Sequence, residues 1–379
     1  MQNVANCPVM AINNNENNPM TKRSKFGLSL LLLFVVSAVF IWQAGNQLVL
    51  RAMQRQVEGT LSNHFMSELP DGLHVYICGA GSPIPDPHRA GPCTAVIAGK
   101  QLYIVDAGSG SIRNLGPAGL SAGRASAVLL THFHSDHIDA LGELSVQRWA
   151  GGHQAKPLDV YGPPGVEQIV DGFNQAYAQD TQYRIDHHGT KTVLPSGAGL
   201  LARPFAAINN GERSLLLERD GLRITAFGVD HYPVPNAVGY RFDYKGRSVV
   251  ISGDTRKSAN VQALAEDADL LLHEALSPQL VNVMQRAASA VGVEHMAQIS
   301  EDILDYHTTP QQAADIAQAA GAHYLALNHI VPGLPLRYLE KLFIQGSAKH
   351  YNGPISITRD GDFFSLPANS TAIRTDSLR

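Results

Sequence analysis

The order of apolar and polar positions divides the chain into two parts of different character. The first is a run from residue 26 to residue 50 without a charged side chain. In the longer second part, strand-like runs (125–130, 222–227, 248–251) alternate with helical spacing (166–177, 311–320, 336–344). This alternation predicts an α/β fold with four layers, an αβ/βα sandwich with a mixed sheet in each half, preceded by one transmembrane helix.

The same pattern predicts five segments in the 379 residues. A domain of about 300 residues with 44% apolar composition is large enough for an extensive core. A short polar end after such a domain is expected to lack regular structure. The segments are a polar tail (1–25), an apolar anchor (26–50), a linker (51–71), a catalytic domain (72–367) and a disordered tail (368–379).

A dense group of metal-binding side chains follows the apolar run 125–130. The motif T-H-F-H-S-D-H supplies His132, His134, Asp136 and His137. Alternation along an extended segment points the first two imidazoles the same way, and the last two residues fall at the start of a helix. Imidazole and carboxylate are ligands that Zn²⁺ accepts, so the sequence predicts a metal site on a strand-to-helix loop.

The H-x-H-x-D-H motif resembles the signature of the metallo-β-lactamase superfamily, and the resemblance covers residues 72 to 366. Three later motifs occur in the expected order, G-V-D-H-Y-P, S-G-D-T and A-L-N-H, each after a strand-like run. The resemblance implies two Zn²⁺ per chain, with Asp254 bridging them. Its first site would comprise His132, His134 and His231, and its second Asp136, His137 and His329.

This ligand set implies hydrolysis. Two divalent ions about 3.5–4 Å apart can share a water and lower its pKa enough to hold hydroxide near neutral pH. Asp136 is therefore a candidate catalytic residue as well as a ligand. A metal-stabilised binding domain without catalysis is the non-enzymatic alternative, and the complete ligand set argues against it.

Within the superfamily, the chain is more similar to ribonuclease Z and its arylsulfatase-like relatives. The motifs C-G-A-G-S-P-I-P, D-A-G-S-G, A-D-L-L-L-H-E-A and Y-H-T-T-P-Q-Q-A-A carry this similarity. It implies that His307 donates a proton to the leaving oxygen, whereas His273 and Glu274 orient the ligands. Alternatively, His307 is a polar residue flanking a helix that starts at Thr309.

Two features distinguish the chain from ribonuclease Z. His231 and Asp254 are separated by one hairpin turning at Lys245–Gly246, which leaves no room for a basic arm, and the formal charge is −4. Nucleic-acid binding depends on a basic surface. We therefore expect an arylsulfatase-like enzyme whose substrate is a small anionic sulfate or phosphate ester, with nucleic acid an unlikely partner. The alternative is a tRNA 3′-end endoribonuclease, and a homodimer stays open.

The segment from Gly162 to Arg203 is expected to set specificity. Arg184 would bind an anionic group through its guanidinium fork, and His187 and His188 would line the mouth of the site. The alternative is that all three are exposed polar residues of a loop.

The apolar run also predicts a location. Lys22, Arg23 and Lys25 precede it, which places the N-terminus inside and the catalytic domain outside the inner membrane, on the periplasmic side of a bacterium. The alternative is a signal peptide, cleaved to release a secreted protein. Cys78 and Cys93 either form a disulfide in that oxidising compartment or stay as buried thiols.

Overall fold

The computed structural model describes residues 22–61 and 65–378. The expectation of a polar tail falls mainly on residues 1–21, outside this range. The chain divides into two compact units, residues 1–63 and 64–379, which are described separately.

The first unit contains one long helix, α1 (Lys22–Leu61). Its stretch Leu30–Gly59 has the length and composition of a membrane span, a test that signal sequences near an N-terminus also meet. The helix continues without a break past residue 50. The segment expected as a linker therefore begins as a continuation of the same helix, because no Pro interrupts the helix there.

The second unit contains the remaining elements. Its helices are α2 (Phe65–Glu68), α3 (Ser135–Ile138), α4 (Leu141–Val146), α5 (Val166–His188), α6 (Ala259–Leu264), α7 (Pro278–Ala290), α8 (Glu294–Asp302), α9 (Pro310–Ala320) and α10 (Arg337–Phe343). Its strands are β1 (Gly72–Gly79), β2 (Cys93–Ala98), β3 (Gln101–Val105), β4 (Ala125–Leu129), β5 (Leu158–Gly162), β6 (Leu200–Pro204), β7 (Arg213–Arg219), β8 (Leu222–Gly228), β9 (Val238–Tyr244), β10 (Arg247–Ile251), β11 (Leu270–Leu276), β12 (Leu325–Val331), β13 (Ile355–Ile357), β14 (Asp362–Pro367) and β15 (Arg374–Ser377).

The strands form two mixed sheets, as the sequence predicts. The first has the order β15-β14-β1-β2-β3-β4-β5-β6, and the second β13-β12-β11-β10-β9-β8-β7. Strands β3 to β6 are parallel in the first sheet, and β10 to β13 are parallel in the second. The parallel parts place the carboxyl ends of several strands together, which is where polar loop residues collect.

Apolar side chains fill three layers between these elements. Val75, Tyr240 and Leu272 belong to the buried cluster between the two sheets. A second cluster lies between the first sheet and its helices, and a third packs α6 and α9 against the second sheet. The four-layer αβ/βα sandwich is confirmed.

Local geometry agrees with the sequence at the β9–β10 hairpin. Tyr244 pairs with Arg247, so two residues, Lys245 and Gly246, make the turn. Both have positive φ, 47° and 79°, as a type I′ turn requires. The connection is too short to hold an arm.

Several local expectations are wrong or incomplete. Residues 374–377 of the expected disordered tail form β15, because the free edge of β14 supplies backbone partners for a short polar segment. Helix α5 extends to His188, so the segment around Arg184 is helical and not a loop. The helical hairpin of α7 and α8 was not predicted. Cys78 and Cys93 form a disulfide, the first of the two alternatives.

Candidate metal centre

The seven predicted ligands meet at one edge of the sandwich. They come from four segments of the chain: four ligands follow β4, one follows β8, one follows β10 and one lies within β12. Ligand atoms within each group lie within 4.8 Å of one another. The groups are His132, His134, His231 and Asp254; Asp136, His137 and His329; and Asp254, His307 and His329.

His329 reaches the cluster through a bulge. The sequence places it at a strand end, but β12 continues to Val331. The register against β11 shifts between Glu274 and Ala275, opposite His329, whose φ is 46°. A bulge bends a strand and redirects one side chain, so this irregularity explains how a residue within a strand can serve the site.

Three imidazole nitrogens converge in the first predicted site. His134 Nδ1 lies 2.9 Å from His132 Nε2 and 3.4 Å from His231 Nε2. In the second predicted site, Asp136 Oδ2 lies 3.6 Å from His137 Nε2 and 3.4 Å from His329 Nε2. The two groups match the two ligand sets predicted from the sequence.

Asp254 lies between the two groups. Its Oδ2 atom is 3.9 Å from Nε2 of both His132 and His231 in the first group. In the second group, the same atom is 3.4 Å from His137 Nε2 and 3.3 Å from His329 Nε2. Its carboxylate is almost completely buried, at 3% exposure of the residue. This position is the one that a carboxylate bridging two cations would take.

A second carboxylate, Asp106, orients the ligands from behind. It accepts hydrogen bonds from the Thr131 backbone N–H and hydroxyl, both at 2.8 Å, and lies 2.9 Å from His137 Nδ1. The Thr131 hydroxyl in turn lies 3.1 Å from His132 Nδ1. These contacts fix the rings with Nε2 directed into the cluster, as outer partners of metal-binding histidines do.

Asp106 itself depends on unusual backbone geometry. Its φ is 58°, a region in which Asp is better tolerated than most residues. Two positions later, a Cβ on Gly108 would lie 2.3 Å from the Asp136 carbonyl oxygen. The D-A-G-S-G motif therefore allows this turn to approach the start of α3 closely.

The surroundings of the first group favour neutral imidazoles and an ionised Asp254 carboxylate. Burial lowers the pKa of His132 well below its ordinary value and lowers the pKa of His231 to about 4. Burial alone would raise the pKa of Asp254, but nearby imidazoles outweigh it and hold that pKa well below the usual range. Neutral imidazole and ionised carboxylate are the forms that bind metal.

In the second group, nearby carboxylates raise the pKa of the two histidines although burial would lower it. Burial would lower the pKa of His137, yet the surrounding carboxylates, led by Asp254 and Asp106, raise it well above the ordinary value. The same carboxylates would hold a divalent cation.

The donors present fit a divalent metal. His137 Nε2, Asp254 Oδ1 and His329 Nδ1 are buried polar atoms without a hydrogen-bond partner in the described part of the chain. An orphaned buried polar group is costly unless something binds it. The orphaned His137 and Asp254 atoms belong to residues facing the cluster, so we identify this cluster as a metal-binding site.

His307 and Glu274 form a dyad beside the cluster. His307 Nδ1 lies 3.1 Å from Glu274 Oε1, an oxygen that also accepts the backbone N–H groups of Thr308 and Thr255. The His307 ring stacks 5.6 Å from that of His329. With Nδ1 bound to the carboxylate, Nε2 stays available to a substrate.

His273 has a different environment from that expected. It is fully buried, and its Nδ1 contacts the backbone carbonyl of Glu274 at 2.8 Å. In the described residues it makes no hydrogen bond to a predicted ligand, because its side chain leaves β11 on the face opposite Glu274.

The predicted substrate residues do not gather at the cluster. Gly165, the residue before α5, lies beside Phe133, because a Cβ added to this glycine would be 3.3 Å from the Phe133 ring. His187 and His188 are exposed in the last turn of α5, roughly 30 Å farther along the helix. Arg184 pairs with Asp180 at 2.7 Å and lines a groove that also contains Asp139, close in sequence to the ligand Asp136.

Three residues at the site were not assigned from the sequence. In the sequence, Asp106 is visible only as part of the D-A-G-S-G turn, and Thr131 only as the residue that precedes the metal motif. Tyr306 was read as part of a family motif, but its carbonyl oxygen lies 3.1 Å from His231 Nδ1. The positive φ of an Asp cannot be seen in a sequence, although an Asp followed by two glycines within four residues is a signal for it.

Known proteins similar to this chain share the site's fold. A family model described as "Beta-lactamase superfamily domain" matches residues 103–330. Ribonuclease Z of Mycobacterium avium (strain 104) is 37% identical over 264 residues, which cover 69% of this chain and 87% of that protein. Ribonuclease Z of Mycobacterium marinum is 36% identical over 264 residues, with 69% and 88% covered.

Solved structures agree at the level of the fold. Human tRNase Z, short form, aligns with a TM-score of 0.55 at 22% identity, covering 78% of this chain and 99% of that chain. The metallo-beta-lactamase fold protein YhfI from Bacillus subtilis aligns with a TM-score of 0.53 at 20% identity, covering 78% and 100%.

These relatives correct one expectation. A small anionic ester was predicted as substrate, with nucleic acid unlikely, but two relatives that are 37% and 36% identical over 264 aligned residues are each named ribonuclease Z. The prediction was wrong because it rested on the lack of a basic arm and on the charge summed over the whole chain. Single-stranded RNA is also recognised by stacking and by local contacts, which a net charge does not report.

Proposed function

The chain belongs to the beta-lactamase superfamily, in the family of its ribonuclease Z relatives, and we propose that it is a metal-dependent phosphodiesterase that cleaves RNA. One observation carries the proposal: the complete cluster of seven His and Asp ligands occurs in a chain 37% identical to a ribonuclease Z. The same findings support this reading over the arylsulfatase-like one, for which the site offers no separate feature.

We propose that the cluster holds two Zn²⁺. His132, His134 and His231 would hold one ion, the second group would hold the other, and Asp254 would contact both. When bound, such ions supply Lewis acidity toward the phosphate and an activated water.

The remaining chemistry belongs to the protein's own side chains. Glu274 fixes the His307 ring through Nδ1, so His307 Nε2 is the proposed proton donor to the departing ribose oxygen. The protein N–H groups bound to Glu274 Oε1 keep this carboxylate in place. Arg184 is a proposed contact for a more distant phosphate.

We also propose that the catalytic unit acts outside the cytoplasm. Lys22, Arg23 and Lys25 at the start of α1, before its apolar stretch, favour that orientation, and the Cys78–Cys93 disulfide is suited to an oxidising compartment. There the enzyme would meet RNA other than newly made tRNA precursors. An alkaline phosphatase fused after residue 71 should be active, and a well-expressed but inactive fusion would contradict this orientation.

The activity can be tested with the full-length protein in detergent micelles, loaded with Zn²⁺. End-labelled single-stranded RNA and a precursor tRNA should be cleaved, and exhaustive chelation should abolish cleavage. Nitrophenyl sulfate serves as the comparison substrate. Hydrolysis of the sulfate with both RNAs left intact would overturn the proposal.

A further inference from the structure

Two tyrosines flank the ligand His231. Tyr232 follows it directly in the chain and is 70% exposed. Tyr306 is half-buried, with its ring 4.9 Å from the His231 ring and 4.7 Å from the His307 ring. The mechanism proposed above uses neither aromatic side chain.

The surroundings of His231 provide little free positive charge. The β8–β9 connection comprises residues 229–237, and β9–β10 is a two-residue turn, so neither holds an arm. Two cations follow Asp254 in the chain. Lys257 is paired, at 2.8 Å from Asp315, whereas Arg256 lies 3.9 Å from Asp230 and its buried Nε has no hydrogen-bond partner in the described residues. Arg256 could contact a phosphate, but one cation leaves an RNA strand to gain further affinity from contacts other than ion pairs.

We propose that Tyr232 and Tyr306 form a stacking platform for the unpaired nucleobases next to the scissile phosphate. This inference rests on the proposed ribonuclease function. Aromatic rings bind splayed bases by stacking, which tolerates any sequence because every base has a π face. Tyr232 follows the ligand His231 in the chain and is 70% exposed, so its ring is accessible to a base. The packing of Tyr306 against two histidine rings holds it in a fixed orientation.

The first test compares Tyr232→Ala with Tyr232→Phe in the full-length, Zn²⁺-loaded protein, with single-stranded RNA as substrate. The alanine variant should raise KM by roughly 5- to 150-fold with little change in kcat, and the phenylalanine variant should be close to wild type. Tyr183→Ala is the matched control, because Tyr183 is 61% exposed on α5, roughly 25 Å along that helix from its start beside Phe133. Metal content should be equal in all variants.

The substrate offers the complementary change. An abasic nucleotide placed next to the cleavage position should raise KM for the wild type about as much as Tyr232→Ala does. Both changes together should cost little more than either alone, since they remove one contact. Independent, additive losses would overturn the stacking platform.

Tyr306 is tested separately because it packs against His231. Tyr306→Phe should keep RNA cleavage, whereas Tyr306→Leu should raise KM for RNA by a larger factor than it raises KM for bis(p-nitrophenyl) phosphate, which has no nucleobase. If Tyr306→Leu slows both substrates equally, Tyr306 supports the ligand and not the base.

Salt dependence separates stacking from electrostatic capture. The rise in KM caused by Tyr232→Ala should be about the same at low and high salt, because stacking releases no counterions. A rise that disappears at high salt would assign the effect to electrostatic contacts and overturn the proposal. If the wild type cleaves no RNA, the proposed function fails together with this inference. If the wild type cleaves RNA while Tyr232→Ala behaves like Tyr183→Ala, only this inference fails.

Discussion

Two cavities in the catalytic unit differ in size and in the state of their polar groups. An outer groove of about 1330 Å³ crosses the exposed face of β7 to β10 and contains several arginines and carboxylates. A cavity of about 30 Å³ lies under the metal ligands and is lined by Asp106, His137 and Asp254. By size alone, the outer groove would be chosen as the functional site.

The polar groups reverse that choice. In the outer groove, Arg223 pairs with Glu218 at 2.8 Å and Arg241 pairs with Asp243 at 3.0 Å. Arg247 Nη2 makes no hydrogen bond within the described residues, but it forms an ion pair with Asp269 at 2.8 Å. At the small cavity, His137 Nε2 and Asp254 Oδ1 are buried without a hydrogen-bond partner in the described part of the chain. Groups that satisfy one another leave nothing for a ligand to gain, whereas buried groups without partners require one. The comparison teaches that unsatisfied chemistry locates this site better than volume does.

The largest effect is expected at the ligands themselves. His132→Ala removes an imidazole of the first group, so both metal occupancy and RNA cleavage should be lost, by more than the 10- to 100-fold typical of an outer partner. Metal analysis by mass spectrometry and single-turnover cleavage measure the two losses. Full activity after exhaustive chelation would contradict the metal mechanism. It would also remove the reason for choosing the small cavity over the outer groove as the functional site.

The next effect concerns His307. His307→Ala removes the proposed proton donor, so RNA cleavage should slow by about 10²–10⁴-fold while metal content stays unchanged. A nitrophenyl phosphodiester should slow much less, because nitrophenolate departs without a proton. Equal losses on both substrates with metal retained would assign His307 a positioning role instead.

A smaller effect is expected behind the ligands. Asp106→Asn keeps the shape but weakens the charge-assisted bond to His137, so metal affinity should fall roughly 10- to 100-fold. Chelator competition measures this affinity. Asp159→Asn is the matched control, because Asp159 pairs with Arg203 on the partly exposed β5 and β6. Equal metal affinity in the two variants would show that Asp106 does not tune the site.

The smallest effect should come from the outer groove. Arg223→Ala breaks an exposed ion pair, and such pairs contribute little to stability. We expect wild-type metal content, RNA cleavage and melting temperature. A clear loss of RNA cleavage in this variant would place substrate in the larger cavity and break the comparison.

The sequence revealed the site unevenly. His132, His134, Asp136 and His137 are visible because they are contiguous and follow an apolar run. The ligands from later strands were assigned through the order of family motifs. The fold was predictable because its strands are apolar and its helices periodic.

Other features depend on contacts that a linear pattern does not contain. Asp106 contacts Thr131 and His137, which come from a different loop, and the bulge at His329 depends on the register of β11. β15 is polar and forms only because β14 offers an edge. The substrate class was misjudged because a net charge averages over surfaces that never meet the substrate.

The spread of the ligands along the chain has a consequence during synthesis. The first predicted ligand is His132 and the last is His329, which enters the cluster from the bulge in β12. A nascent chain or proteolytic fragment that stops before β12 still contains His132, His134, His231 and Asp254, but it lacks one ligand of the second group. Such a product has donors for only one complete ion site. Completion of the proposed two-ion site is therefore expected only after β12 has been made and has paired with β11.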